Sequence, residues 1–230
     1  MRDWLTYELS DLLLFSERVY WRLFELENVA LWPMPLFPSL AMLGALILHA
    51  RRPELGTRVI LGLLAIAWLW TGWHFVWQRY APINWAMTYF APVFALEAFI
   101  FAGLALRRPQ QWHIPVTARV MGYGLIFAAT VAYPGLVFLQ GRSFASAEII
   151  AIAPDPTALA SLGAAFFVAG RRHRAAAVAV PFIWLAQSTL TLFAMTGGAA
   201  IGPALGIAIS AVGLFALALS SGGPRASLPR

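Results

Sequence analysis

The 230-residue sequence has no cysteine and no lysine, and only 11% of it is charged. Without cysteine there is no disulfide, no thiolate metal site and no thiol nucleophile. Without lysine there is no retinal Schiff base and no phosphate-cradling P-loop lysine, so a rhodopsin-like pigment is excluded as a covalent chromophore protein. The charge is also too sparse to coat a soluble domain of this length, since 60% of the residues are hydrophobic and fall in long blocks. A cleavable leader is not expected, because Glu8, Asp11, Glu17, Arg18 and Arg22 interrupt the N-terminal apolar residues.

What is present is an integral membrane pattern. The formal charge of +6 comes entirely from arginine, and the arginines sit in short clusters between apolar runs. Loops beside a bilayer look like this, and nucleic acid is set aside as a partner. Runs of about 20 apolar residues predict an all-α bundle of seven spans near 32–50, 58–78, 85–106, 118–139, 152–170, 175–196 and 200–220. Arg51, Arg52, Arg58, Arg107, Arg108, Arg119, Arg171, Arg172, Arg174, Arg225 and Arg230 then fall on one side. By the positive-inside rule the N-terminus is outside and the C-terminus inside, as expected of a bacterial cytoplasmic-membrane protein. The fifth span is short, about 22 Å from Pro156 to Gly170 at helical rise.

Before the bundle, residues 1–30 form an interfacial segment in which Leu12, Phe15, Val19, Leu23 and Leu26 recur at helical spacing. Tyr20 and Trp21 are expected to anchor it at the bilayer surface, as Trp32 does where the bundle begins. An alternative role is a lid over an outward cavity. One domain over 1–220 is expected, with residues 221–230 as a disordered tail.

Ionisable groups inside a span are costly and are functional candidates for that reason. Counted from the inner arginines at helical rise, Glu97 lies about 15 Å deep, Gln187 about 20 Å, Tyr133 about 21 Å and Thr191 about 25 Å. His74 and Asp155 share a level near 24 Å, while Arg79, at about 31 Å, belongs to the outer interface. The expected site is an outward-opening cavity with His74 and Asp155 at its mouth, Tyr133, Gln187 and Thr191 on its walls and Glu97 on its floor. Each has a plain alternative: Glu97 as a protonated carboxyl bonded to Gln187, His74 as a structural hydrogen-bonding group, Asp155 as the N-cap of a helix whose first residue is Pro156. Asn84 is read as the N-cap of the third span. Pro92 is expected to kink that span one turn before Glu97. "SAEIIAIA" before Asp155 is apolar enough to enter a membrane, which makes a broken helix with a free N-terminus the other reading of this stretch. Gly202, Gly206 and Ser210 form a small-residue stripe suited to close packing. A lone intramembrane histidine cannot supply the two axial ligands of a b-type haem, and His49, His113 and His173 fall on the inner side. No metal and no cofactor is expected beyond a bound lipid.

Three stretches, "YWRLFELENVALWP", "RYAPINWA" and "IAPDPTALASLG", resemble a family of uncharacterised bacterial multi-pass membrane proteins known only as a domain of unknown function. The family's patterns are Asn-x-Ala-hydrophobic-Trp-Pro, an Ile-Asn followed by small residues, and Ala-Pro-x-Pro-Thr. Where the family often has Cys this chain has Asp155, and where it has Tyr-Asn this chain has Glu27-Asn28. The first departure weighs against a shared thiol or metal chemistry, and no activity comes with the resemblance.

Two functions follow as expectations. One is a carrier or channel-like protein that binds or translocates a small solute or ion from outside. The other is a structural or accessory subunit of a larger membrane complex or homo-oligomer, with lipid and partner subunits against its aromatic and glycine-rich faces. An enzyme is not expected, because no catalytic constellation can be assembled.

Overall fold

The computed structural model describes residues 14–107, 114–196 and 200–220, which contain helices, turns and irregular segments and no strand. In chain order the helices are α1 (Glu17–Leu31), α2 (Leu36–Arg51), α3 (Pro53–Tyr80), α4 (Met87–Leu106), α5 (Val116–Leu139), α6 (Pro154–Ala164), α7 (Arg171–Thr196) and α8 (Ile201–Ser220). Within α3 the last ten residues, Thr71–Tyr80, are π-helical, and α5 carries a π turn at Ala128–Ala132. The expected tail, the first part of the N-terminal segment, and Arg108, His113, Arg225 and Arg230 lie outside the described residues.

Five helices, α3, α4, α5, α7 and α8, are long and apolar enough to cross a membrane. The α1–α2 pair adds at most one more, with a bend of 86° between its two helices. The expected span at 152–170 takes a different form: α6 has 11 residues and ends in a 3₁₀ turn at Ala165–Phe167. Two prolines at its start explain the truncation, because Pro154 and Pro156 have no amide hydrogen to extend the helix backwards. At the other end Gly170, at φ 88°, turns the chain into α7.

α1 turns Tyr20, Leu23, Phe24, Glu27 and Asn28 inward at helical spacing; of the expected apolar stripe Leu23 is buried, while Val19 and Leu26 are exposed. Tyr20 and Trp21 are also buried rather than lying at a surface. Tyr20 packs edge-on to Phe24 and Tyr80, and Phe24 stacks on Phe75. Aromatic packing onto the π-helical end of α3 therefore sets the rotation of α1.

Residues 146–168 are buried without a break, so the segment through α6 runs along the centre of the bundle. It contacts α3, α5, α7 and α8. Between Ala147 and Ala153 the backbone is irregular apart from a turn in which the Ile152 and Ala153 amides donate to the Ile149 carbonyl at 3.0 and 2.7 Å. Neighbouring side chains supply further partners: Asn28 Nδ2 donates to the carbonyls of Ala145 and Ala147 at 2.9 and 2.8 Å, and the Thr71 hydroxyl donates to the Ala151 carbonyl at 2.9 Å. The Ala151 amide donates to Thr157 Oγ1, also at 2.9 Å. Ala151 holds a left-handed backbone, φ 65°, a conformation that costs a non-glycine residue about 1–2 kcal/mol and is here bonded on both sides.

Glycines let α6 approach its neighbours. A Cβ at Gly163 would sit 2.8 Å from Ile126 Cγ1 and 3.0 Å from the Gly122 carbonyl, and one at Gly122 would meet the Phe167 ring and the Gly163 carbonyl. Gly206 faces Leu159 in the same way, and Ser210 is buried beside it on α8, so the predicted small-residue stripe is a packing face. Gly163→Leu is expected to destabilise the protein by about 1–3 kcal/mol, the usual cost of overpacking. Gly62, with open space around it, should tolerate alanine with a gain of about 0.5–1 kcal/mol. Unfolding of the two variants in detergent checks the contrast.

Candidate functional site

Asp155 lies in the first turn of α6 and is completely enclosed. It is not the N-cap, as the sequence had led us to expect: the helix begins at Pro154 after Ala153, with no side-chain cap. The carboxylate is turned sideways instead and accepts three hydrogen bonds. Trp184 Nε1 donates to Oδ1 at 2.7 Å, while the hydroxyls of Tyr133 and Ser188 donate to Oδ2 at 3.0 and 2.6 Å. Phe90 and Phe94 of α4 pack edge-on to Trp184 and close the apolar side.

A second buried carboxyl, Glu148, precedes Asp155 on the same segment. Its Oε2 is 3.5 Å from the Arg142 guanidinium, and its Oε1 is buried with no hydrogen-bond partner. Arg142 is held chiefly by other groups. It donates to Gln140 Oε1 at 2.7 Å and to the Ser146 carbonyl at 2.9 Å, and it stacks 3.5 Å over the Trp21 ring. Burial lowers Arg142 from its ordinary value, and the neighbouring Glu148 carboxyl opposes that shift. Tyr133 ties α5 to this polar centre through its bond to Asp155, and Trp21 ties α1 to it through Arg142.

His74 is bonded to Glu27 rather than to Asp155. Glu27 is buried and bridges two cations or donors: Nδ1 of His74 and Nε of Arg79, the latter at 2.9 Å. The π winding explains how both reach it. In an α-helix residues five apart point about 140° away from each other, whereas π-helical i→i+5 bonding brings them to nearly one face. Trp70 stacks on the His74 ring at 4.9 Å and fixes its plane. Arg79 is therefore more than turn chemistry, since it offsets a buried charge.

The remaining candidates are dispersed. Glu97 is fully buried on the face of α4 that carries Phe94 and Phe101, and neither carboxyl oxygen has a hydrogen-bond partner among the described residues. Gln187 does not bond to it; its Nε2 donates to Thr191 Oγ1 at 2.8 Å along α7. α4 runs unbroken through Pro92. Asn84 sits in the turn before α4, where its Oδ1 accepts from the Ala86 amide at 3.2 Å, and Ala86 rather than Asn84 is the N-cap. Trp32 follows α1 and is exposed. His49 of α2 bonds the Tyr123 hydroxyl at 2.7 Å and stacks on Phe167. No group of three or more His, Asp or Glu that could hold a metal occurs among the described residues.

Sequence reasoning brought Tyr133 and Asp155 to one site but passed over Glu27, Asn28, Arg142, Glu148, Trp184 and Ser188. One signal was available. Trp184 and Ser188 share a helical face, offset by one position from the Gln187–Thr191 face that drew attention. Burial follows the first face and leaves the second half-exposed.

Residues 17–217 match one family model, described as a family of unknown function, DUF6064. No curated protein and no solved structure matches the chain.

Trp184→Phe keeps the ring between Phe90, Phe94 and α6 but leaves Oδ1 of Asp155 without a donor. A loss of about 1.5–3 kcal/mol is expected, the contribution of a hydrogen bond to a charged group. It should be read by unfolding in detergent alongside Ile183→Ala, an exposed control on the same helix.

Proposed function

Because the chain belongs to the DUF6064 family, whose function is unknown, we propose from its geometry that it binds and translocates a small solute or ion across a bacterial cytoplasmic membrane. The supporting observation is the buried irregular segment that ends in a helix start bearing Asp155. Membrane transport proteins use such interruptions because unwound backbone and helix ends present dipoles and carbonyls where regular helices present none.

The proposed topology has seven crossings, with the N-terminus outside. The 86° bend lays α1 along the outer surface when α2 crosses. The crossing at α6 combines two conformations. Seven irregular residues supply at most about 23 Å and the helical residues through Phe167 about 21 Å, enough for a hydrocarbon core of about 30 Å. In this arrangement Glu27, His74, Arg79, Arg142 and Glu148 lie at the outer end, Asp155 below them, and Glu97 deeper still. This order sets polar groups at successive depths from the outer surface.

Reconstitution in liposomes tests the reading. With imposed sodium, potassium or proton gradients, or a panel of small organic cations, the protein should carry measurable flux. Asp155→Asn should reduce that flux at least about tenfold, the factor equivalent to one charge-assisted hydrogen bond. Absence of flux, together with co-purification of large subunits in mild detergent, would replace the proposal with an accessory-subunit role.

A further inference from the structure

The centre around Asp155 is short of positive charge. It contains two buried carboxyls, Asp155 and Glu148, and among the described residues Arg142 is the one cation in contact with either. The other titratable groups that face it are Tyr20 from α1, Tyr80 from α3 and Tyr133 from α5, which are neutral acids and add no positive charge. A net negative charge sealed in a low-dielectric interior is costly, by several kcal/mol in real proteins. One further positive charge would close the balance.

The hydrogen bonds indicate where it goes. Both oxygens of Asp155 already accept from Trp184, Tyr133 and Ser188. By contrast Glu148 Oε1 is buried and open. A second open acceptor belongs to Asn28, which donates its amide hydrogens to the carbonyls of Ala145 and Ala147, the latter the residue before Glu148, and whose Oδ1 is buried without a donor. Acceptors without donors are what a cation or a proton satisfies. Arg142 does not fill the role, because Gln140 and Ser146 hold it closer than Glu148 does.

We infer that Glu148, backed by Asn28 and Asp155, is a site for one exchangeable monovalent positive charge, either a proton or an alkali cation. This rests on the reading that the protein handles a small solute or ion, and it names the charge class. The sign of the pH dependence follows from linkage. A proton held at this enclosed carboxyl is bound more tightly in the folded protein than in the unfolded chain, so stability is fullest at low pH and falls as pH rises through the titration of the site. An alkali cation would restore at high pH what the lost proton removes.

The test needs no flux. Purified full-length protein in nanodiscs would be titrated from about pH 5 to about pH 10 in choline chloride, then in sodium or potassium chloride. Infrared difference spectroscopy would follow the carboxylic-acid C=O band, and thermal unfolding would run in parallel. A proton site predicts a band that is lost as pH rises in wild type and absent in Glu148→Gln, with no alkali response. An alkali site predicts in addition that sodium or potassium moves the loss of the band to lower pH and raises the unfolding temperature at high pH. Glu97→Gln identifies any band from the other buried carboxyl. If Glu148→Gln does not fold, Asp155→Asn should move the wild-type midpoint to lower pH by removing the neighbouring charge. A titrating band that persists when Glu148→Gln and Glu97→Gln are combined, an unmoved midpoint in Asp155→Asn, or the absence of both band and alkali response overturns the site. Flux in liposomes without these charge effects would leave the transport reading standing and this inference refuted; the converse would do the reverse.

Discussion

The structure depends on one constraint: an irregular backbone run buried among helices must find every hydrogen-bond partner within the protein. The stretch from Ala147 to Ala153 meets it with side chains from three elements. Asn28 reaches in from α1, Thr71 from α3 and Thr157 from α6 itself. Each donor requires its own element to hold a fixed rotation. The position of α1 follows from Asn28, and the register where α3 becomes π-helical follows from Thr71, the first residue of that stretch. The small residues on α5 and α8 follow in turn, because the segment occupies the centre and its neighbours must come close to it.

Two charge arrangements adjoin this segment, and they differ in completeness. Glu27 has a full complement, with one oxygen toward His74 and the other toward Arg79. Glu148 and Asp155 share a single guanidinium whose closer contacts lie elsewhere. The first arrangement locks α1 to α3. The second retains acceptors that are open, and an ion-handling protein has use for the incomplete one.

Long helices were legible in the sequence because apolar length is a one-dimensional property: 85–106 and 118–139 come within two residues of α4 and α5 at each end. Rotation about a helix axis was less so. In α1 the apolar residues Val19 and Leu26 form a plausible stripe, yet Glu27 and Asn28 are the buried pair, since a charge with a partner displaces an aliphatic side chain when the partner comes from a distant helix. No periodicity encodes that. Depth counting at constant rise put His74 level with Asp155, but it assumed α-helical winding, and the π stretch turns His74 toward Glu27 of α1. Asp155 stood out in the sequence as a capping residue. Its donors Trp184 and Ser188 lie about 30 residues away along the chain, where sequence pattern carries no pairing information.

The brevity of α6 reaches back to how the chain folds. At 11 residues, with a carboxylate in its first turn that takes its donors from α5 and α7, it cannot complete its own hydrogen bonds. Its polar groups are satisfied once Tyr133, Trp184 and Ser188 are in place, so α5, α6 and α7 must come together as one folding unit.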